Sequence, residues 1–262
     1  MLLSVPHSGR DYPDWLVDMA RLGRAPLERL EDPYVDRLVW RALGLGCGAV
    51  IARAPRAAID CNRGEEEVDP SVIAHSAARA VGARARGGLG IVPARTHADG
   101  YLWRRSITPI QLEERLEAAH RPYHEAIEAE LQALHDRFGG AILIDCHSMP
   151  PPKDGVPEIV IGDRHGRSAA GWLTVEALAI VRAQGFSAGL NEPFAGGHVL
   201  ARHGAPERGV HALQIEIDRR LYLDEGLIAP GAGFDRLARL IETLAARLGE
   251  AIAGLPAATA AE

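Results

Sequence analysis

Six short apolar runs of strand-favouring residues, at 2–5, 49–52, 90–92, 141–144, 158–161 and 212–217, recur along the chain with helix-period segments between several of them. That alternation constrains the fold more than any other feature. It builds an α/β domain with a mostly parallel or mixed central sheet flanked by helices. A chain of 262 residues can bury one substantial core, and nothing in its composition calls for a second, so residues 1–262 are read as a single domain.

Thr108-Pro109-Ile110-Gln111 is a capping-box sequence with proline at the first helical position, and Gly139-Gly140 is a stop, so the spacing predicts a helix over 108–138. Pro122 inside that span predicts a kink near His120. A second helix is predicted over 234–252, with Leu237, Leu240, Ile241, Leu244 and Leu248 on one face. Residues 82–90 read as a loop, 149–157 as an extended connection, and 254–262 as a frayed tail.

The formal net charge of -6 argues against nucleic acid or an anionic membrane as partner, because both require a basic surface. Cysteines at 47, 61 and 146 form neither a CxxC pair nor an even framework, and the first residues lack a signal-peptide pattern, so a cytoplasmic protein is expected. No glycine cluster matches a phosphate-binding fingerprint, which leaves a nucleotide cofactor unsupported.

The chemistry lies at the ends of the apolar runs. His7 and His147 each follow a short strand-like segment and precede a serine, so both fit the carboxyl edge of one sheet, where open α/β folds place ligands. Two imidazoles there suit a metal. A catalytic zinc takes a third protein ligand, for which Asp11, Asp36 and Asp145 are candidates on spacing, with Asp145 better placed to orient His147. The Asn62-Arg63 pair suits a carboxylate, although Arg63 could equally pair with Glu65. Arg104 and Arg105 form a second clamp or a solvated charge pair. Glu216, on an apolar late strand, either faces solvent or serves as a general base. His120 and His124 lie one helical turn apart and also suit a metal, while His198 sits on a glycine-rich loop able to cover a substrate.

Eight motifs in one order carry a resemblance: Pro6-His7-Ser8-Gly9, 32–38, 60–63, Leu102-Trp103-Arg104, Pro122-Tyr123-His124, 145–148, Gly196-Gly197, and 211–216 with Tyr222. Over roughly 5–225 the chain resembles the N-formylglutamate amidohydrolase family, whose fold is similar to that of zinc carboxypeptidases. The resemblance implies one zinc per chain on His7, Asp36 and His147, with another divalent metal an alternative. It also implies Asn62 and Arg63 on the substrate carboxylate, Arg104 or His198 on a second carboxylate, and Glu216 as base. The implied substrate is a small N-acyl amino acid, N-formyl-L-glutamate foremost, cleaved to formate and L-glutamate in histidine catabolism. The chain departs from the family at Tyr34, His198 and Arg202, and from the carboxypeptidase pattern at Arg10, where that pattern has glutamate.

Two other readings compete. A metal-independent hydrolase could use Ser8, Cys61 or Cys146, although no GxSxG elbow is present. A non-catalytic protein could retain the carboxylate site without turnover.

Overall fold

The computed structural model describes residues 1–74, 82–152 and 155–253. Its strands are β1 (Leu2–Val5), β2 (Gly48–Ile51), β3 (Arg95–Thr96), β4 (Gly100–Tyr101), β5 (Ala141–Met149), β6 (Ile159–Gly162), β7 (Ala188–Leu190) and β8 (Val210–Asp218). Its α-helices are α1 (Asp14–Met19), α2 (Ala25–Glu28), α3 (Val35–Leu38), α4 (Trp40–Gly44), α5 (Ala83–Arg86), α6 (Pro109–Arg115), α7 (Arg121–Phe138), α8 (Gly171–Ala183), α9 (His198–His203) and α10 (Phe234–Ala253). Contacts divide the chain into two compact units, one of 1–5, 33–50 and 126–262, the other of 6–32 and 51–125.

The first unit holds a six-stranded sheet ordered β2-β1-β5-β8-β6-β7, the α/β architecture expected. β1, β5 and β8 run parallel, β6 is antiparallel to β8, and β7 is parallel to β6. Strand alternation decides which side chains meet the core. Ile142, Ile144 and Cys146 of β5 and Leu213, Ile215 and Ile217 of β8 share one hydrophobic cluster with Leu38 of α3, Ala42 of α4, Leu173 and Ala177 of α8, and Leu240 and Leu244 of α10. Each such aliphatic side chain contributes about 1.5–3 kcal/mol by leaving water. α10 begins at Phe234 as predicted and runs one residue further.

The second unit has its own core, in which Leu16 and Met19 of α1 and Leu27 of α2 join Ile59, Ile91, Leu102, Trp103 and Leu116. Residues 90–92, expected as a strand, are buried at Ile91 and Val92 but join no ladder. The Ile91 N–H goes to the Glu67 carbonyl, and the Ile91 carbonyl accepts from the Asp60 N–H. Residues 83–86, inside the expected loop, form the single turn α5. The predicted tail at 254–262 lies outside the described residues, as does part of the 149–157 connection.

The capping box is present in both directions. The Thr108 hydroxyl accepts from the Gln111 N–H at 3.1 Å, and the Gln111 side chain accepts from the Thr108 N–H at 2.9 Å. Between α6 and α7 the helix widens into a π segment, Leu116–His120, closed by Arg121 N–H donating to the Leu116 carbonyl. Pro122 has no N–H to offer the preceding turn, so the disturbance expected there takes the form of a wider turn. Among the described residues no helix is long and apolar enough to cross a membrane.

Candidate active site

On the sheet face opposite the hydrophobic cluster, the central strands of the first unit carry polar groups. Asp145 and His147 of β5 pair in register with Gln214 and Glu216 of β8, and Ser4 of β1 pairs with Asp145. All five are buried. Burying such groups costs several kcal/mol unless each finds a partner, and here they find one another, with only the Gln214 Oε1 left over among these side chains. Ser4 donates to Asp145 Oδ1 at 2.7 Å, His147 Nε2 lies 2.8 Å from Asp145 Oδ2, and the Gln214 amide donates to Glu216 Oε1 at 2.9 Å. β5 was expected to end at Ile144 but continues to Met149, which makes His147 part of a strand and not of the loop after it.

His198 opens α9; it is not on the loop assigned to it. The preceding segment lies against Gly162 at the end of β6, where a Cβ would come within 2.7 Å of the Ala195 backbone. Asp36 occupies the first turn of α3. The nearby Tyr222 is fully buried, and its hydroxyl donates to the Pro33 carbonyl at 2.7 Å, fixing the start of that motif.

In the second unit the turn at His7 and the 60–63 motif meet at Asp60, which is completely buried. Asp60 Oδ1 lies 2.7 Å from His7 Nε2 and accepts the Asn62 N–H at 2.8 Å, while Oδ2 accepts from Arg56 Nε at 2.9 Å. Burial alone would raise its pKa; the guanidiniums of Arg56 and Arg63 and the hydrogen bond to His7 overcome that and hold the carboxyl well below its usual range. The other edge of the His7 ring meets Asp32, with Nδ1 3.2 Å from Oδ2. Asp32 is further tied to this turn, its N–H donating to the His7 carbonyl and its own carbonyl accepting from the Ser8 hydroxyl.

Arg63 is buried, with Nε donating to the Leu89 carbonyl and Nη1 to the Asn62 carbonyl, and burial lowers its pKa. Glu65, its expected competitor, pairs with Arg121 at 2.9 Å. His120 and His124 are fully buried with ring centroids 4.6 Å apart. Their Nε2 atoms lie 2.8 and 2.9 Å from the Arg63 and Cys61 carbonyls. A carbonyl only accepts, so both rings carry hydrogen on Nε2.

The same logic tests the donor set for a metal. Each of His7 and His147 has Nε2 on a buried carboxylate, the arrangement that orients ligating imidazoles and leaves Nδ1 as the coordinating atom. Asp32 supplies an oxygen beside the Nδ1 of His7. Nitrogen and carboxylate donors of this kind fit a zinc ion. Asp11, another candidate, is instead an exposed ion-pair partner of Arg53. Asp32 and Asp60 as the two partners of His7 were not foreseen; both stand in motifs that were noticed, 25 and 53 residues from His7.

Arg104, also in the second unit, donates through Nε to the Ala20 carbonyl and lines a cavity of about 670 Å³ with Trp15 and Arg115. Cys61 and Cys146 are fully buried, and burial, reinforced by neighbouring Asp60 and Asp145, pushes both thiols well above their usual range. Neither has the character of a nucleophilic thiolate.

A sequence model of the N-formylglutamate amidohydrolase family matches residues 1–223. An N-formylglutamate deformylase of Pseudomonas putida is 30% identical over 234 residues, which covers 86% of this chain and 82% of that protein. One from Pseudomonas aeruginosa is 31% identical with the same coverage. The crystal structure of N-formylglutamate amidohydrolase from Ralstonia eutropha JMP134 has a TM-score of 0.88 at 29% identity, covering 96% of this chain and 93% of that one. A gene product of Agrobacterium tumefaciens shares the fold, with a TM-score of 0.66 at 19% identity over 96% of this chain and 90% of its own.

Proposed function

Because the chain belongs to the N-formylglutamate amidohydrolase family, we propose that it is a metal-dependent amidohydrolase that cleaves N-formyl-L-glutamate to formate and L-glutamate. The observation that carries the chemistry is the buried register pair of His147 and Glu216, a candidate metal ligand beside a carboxylate on an otherwise enclosed sheet face.

His7, His147 and a carboxylate hold the metal in this reading. β1 and β5 are neighbouring parallel strands, and the chain reaches His7 two residues beyond the end of β1. Asp32 is preferred to Asp36 as the carboxylate because its Oδ2 lies 3.2 Å from Nδ1 of His7, the ring atom that Asp60 leaves for a metal. When bound, zinc would supply polarisation of the scissile carbonyl and a more acidic water.

The remaining work belongs to side chains. Glu216 takes a proton from the attacking water and returns it to the nitrogen of glutamate as the C–N bond breaks, a contribution typically worth ~10²–10⁴ in rate. Gln214, donating to Glu216 Oε1, fixes the carboxylate's orientation. Arg63 and Asn62 grip the α-carboxylate; with Nε and Nη1 of Arg63 held by carbonyls, Nη2 is the donor that reaches it. His198 is assigned the second carboxylate in preference to Arg104, which lines the separate cavity beside Trp15 and Arg115.

The test is metal content together with formate release from N-formyl-L-glutamate, before and after chelation. About one zinc per chain and release that stops on chelation and returns on adding zinc are expected. Formate release from verified metal-free protein would overturn the metal's role, and metal without formate would send the search to other N-acyl amino acids.

A further inference from the structure

Arg115 poses a physical problem that the proposed reaction does not use. Its side chain is buried at the end of α6, yet no described carboxylate lies within ion-pairing distance. Nη1 donates to the Ala58 carbonyl at 3.0 Å, Nη2 lies 3.8 Å from the Met19 sulfur, and the guanidinium stacks 4.8 Å from the centroid of the Trp15 ring. A guanidinium has five N–H donors, and a buried one is ordinarily matched by an acid. A neutral carbonyl, a thioether and an aromatic face leave that match incomplete. Glu114, the one acid with a favourable influence on it, is exposed.

Arg115 also forms part of the wall of the 670 Å³ cavity, a volume within the range of small-molecule sites. The wall includes Trp15, Arg104 and Arg105, with Asp18 and Glu114 as the acids. Both acids are exposed and able to turn to water, whereas the Arg115 charge is fixed in place. Trp15 is 46% exposed although its ring anchors the arginine, so it offers apolar surface to an occupant. Asn62, Arg63, His120 and His124 are not among the described lining residues.

We propose that this cavity is a second binding site, for a small carboxylate carrying a flat apolar group, with the carboxylate on Arg115 and the flat group against Trp15. Arg105 at the exposed edge adds long-range attraction for the anion. The cavity's described lining includes none of the residues assigned to the proposed hydrolysis, and its test reads binding alone.

The experiment is isothermal titration of the full chain with benzoate, with benzamide as the uncharged analogue and inorganic phosphate as an anion without a ring. Saturable benzoate binding at one per chain is expected, with benzamide and phosphate each about ten-fold weaker or more, since each lacks either the charge-assisted hydrogen bonds or the stacking surface. Arg115→Gln should abolish binding. Because that change risks the fold, Trp15→Leu and Arg105→Glu, both at exposed positions, should each weaken benzoate at least about three-fold with an unchanged circular dichroism spectrum. Equal binding of benzamide or phosphate would overturn the ligand class. An absence of saturable binding, indifference to both exposed variants, or full displacement of benzoate by N-formyl-L-glutamate would overturn the site itself.

Discussion

His147 and Glu216 stand side by side in the parallel register of β5 and β8, so their side chains leave the sheet on the same face. If Glu216 is the general base, Glu216→Gln retains the shape and the hydrogen bond from Gln214 while removing the proton acceptor. Formate release should fall ~10²–10⁴-fold with zinc content unchanged. Wild-type turnover in that variant would remove Glu216 from the mechanism.

Asp60 and Asp145 play matching parts, each holding the Nε2 of one histidine. Asp60→Asn and Asp145→Asn should each weaken metal binding or activity by about 10–100-fold, as loss of an orienting carboxylate does at other metal sites. Dialysis against a competing chelator measures the first and initial rates measure the second.

Asp32 and Asp36 can be separated directly. Asp32→Asn is expected to lower zinc occupancy of purified protein sharply, and Asp36→Asn to leave it near wild type. The reverse result would return the third ligand to Asp36 of α3, the spacing candidate that the resemblance selects.

His203, buried in α9, gives a pH signature unconnected with catalysis. Burial, followed by the neighbouring Arg202 and His198, lowers its imidazole from 6.5 to about 4. Between those values the unfolded chain binds the proton and the folded chain does not, so stability present above the upper value is lost as pH falls through the window. His203→Gln should lose less stability than wild type between about pH 7 and about pH 4.5, by at most about 3 kcal/mol, and its Tm should fall correspondingly less. Parallel Tm curves for the two proteins would count against this account.

Where sequence and structure agree, the reason is local. β1, β5 and β8 open with aliphatic runs that only a buried strand accommodates, and the helix starting at Pro109 carries its own cap. Hydrophobicity ends β5 at Ile144 because Asp145 and His147 restore polarity, and a polar stretch buried in a strand looks like a loop to any such rule. α8 was missed for the opposite reason. Trp172 and Val175 are exposed while Leu173, Leu178 and Ile180 are buried, so apolar residues surround the helix and blur its period. His7, Asn62, Arg63, His147 and Glu216 were visible as motifs, but the embrace of His7 by Asp32 and Asp60 depends on tertiary contacts that no spacing encodes.

The sheet's order also sets a timetable for synthesis. β1 lies between β2 and β5, and its Ser4 and the Asp145 it holds are 141 residues apart in the chain. At ~5–20 residues per second, β1 waits roughly 7 to 30 s for that neighbour to be made. Until then β2 is the one sheet neighbour β1 can have, and its other edge, with Leu2, Leu3 and Val5, stays open to a chaperone or to another nascent chain. Slowing translation ahead of residue 141 should therefore lower the yield of folded protein more than the same pause placed after β8.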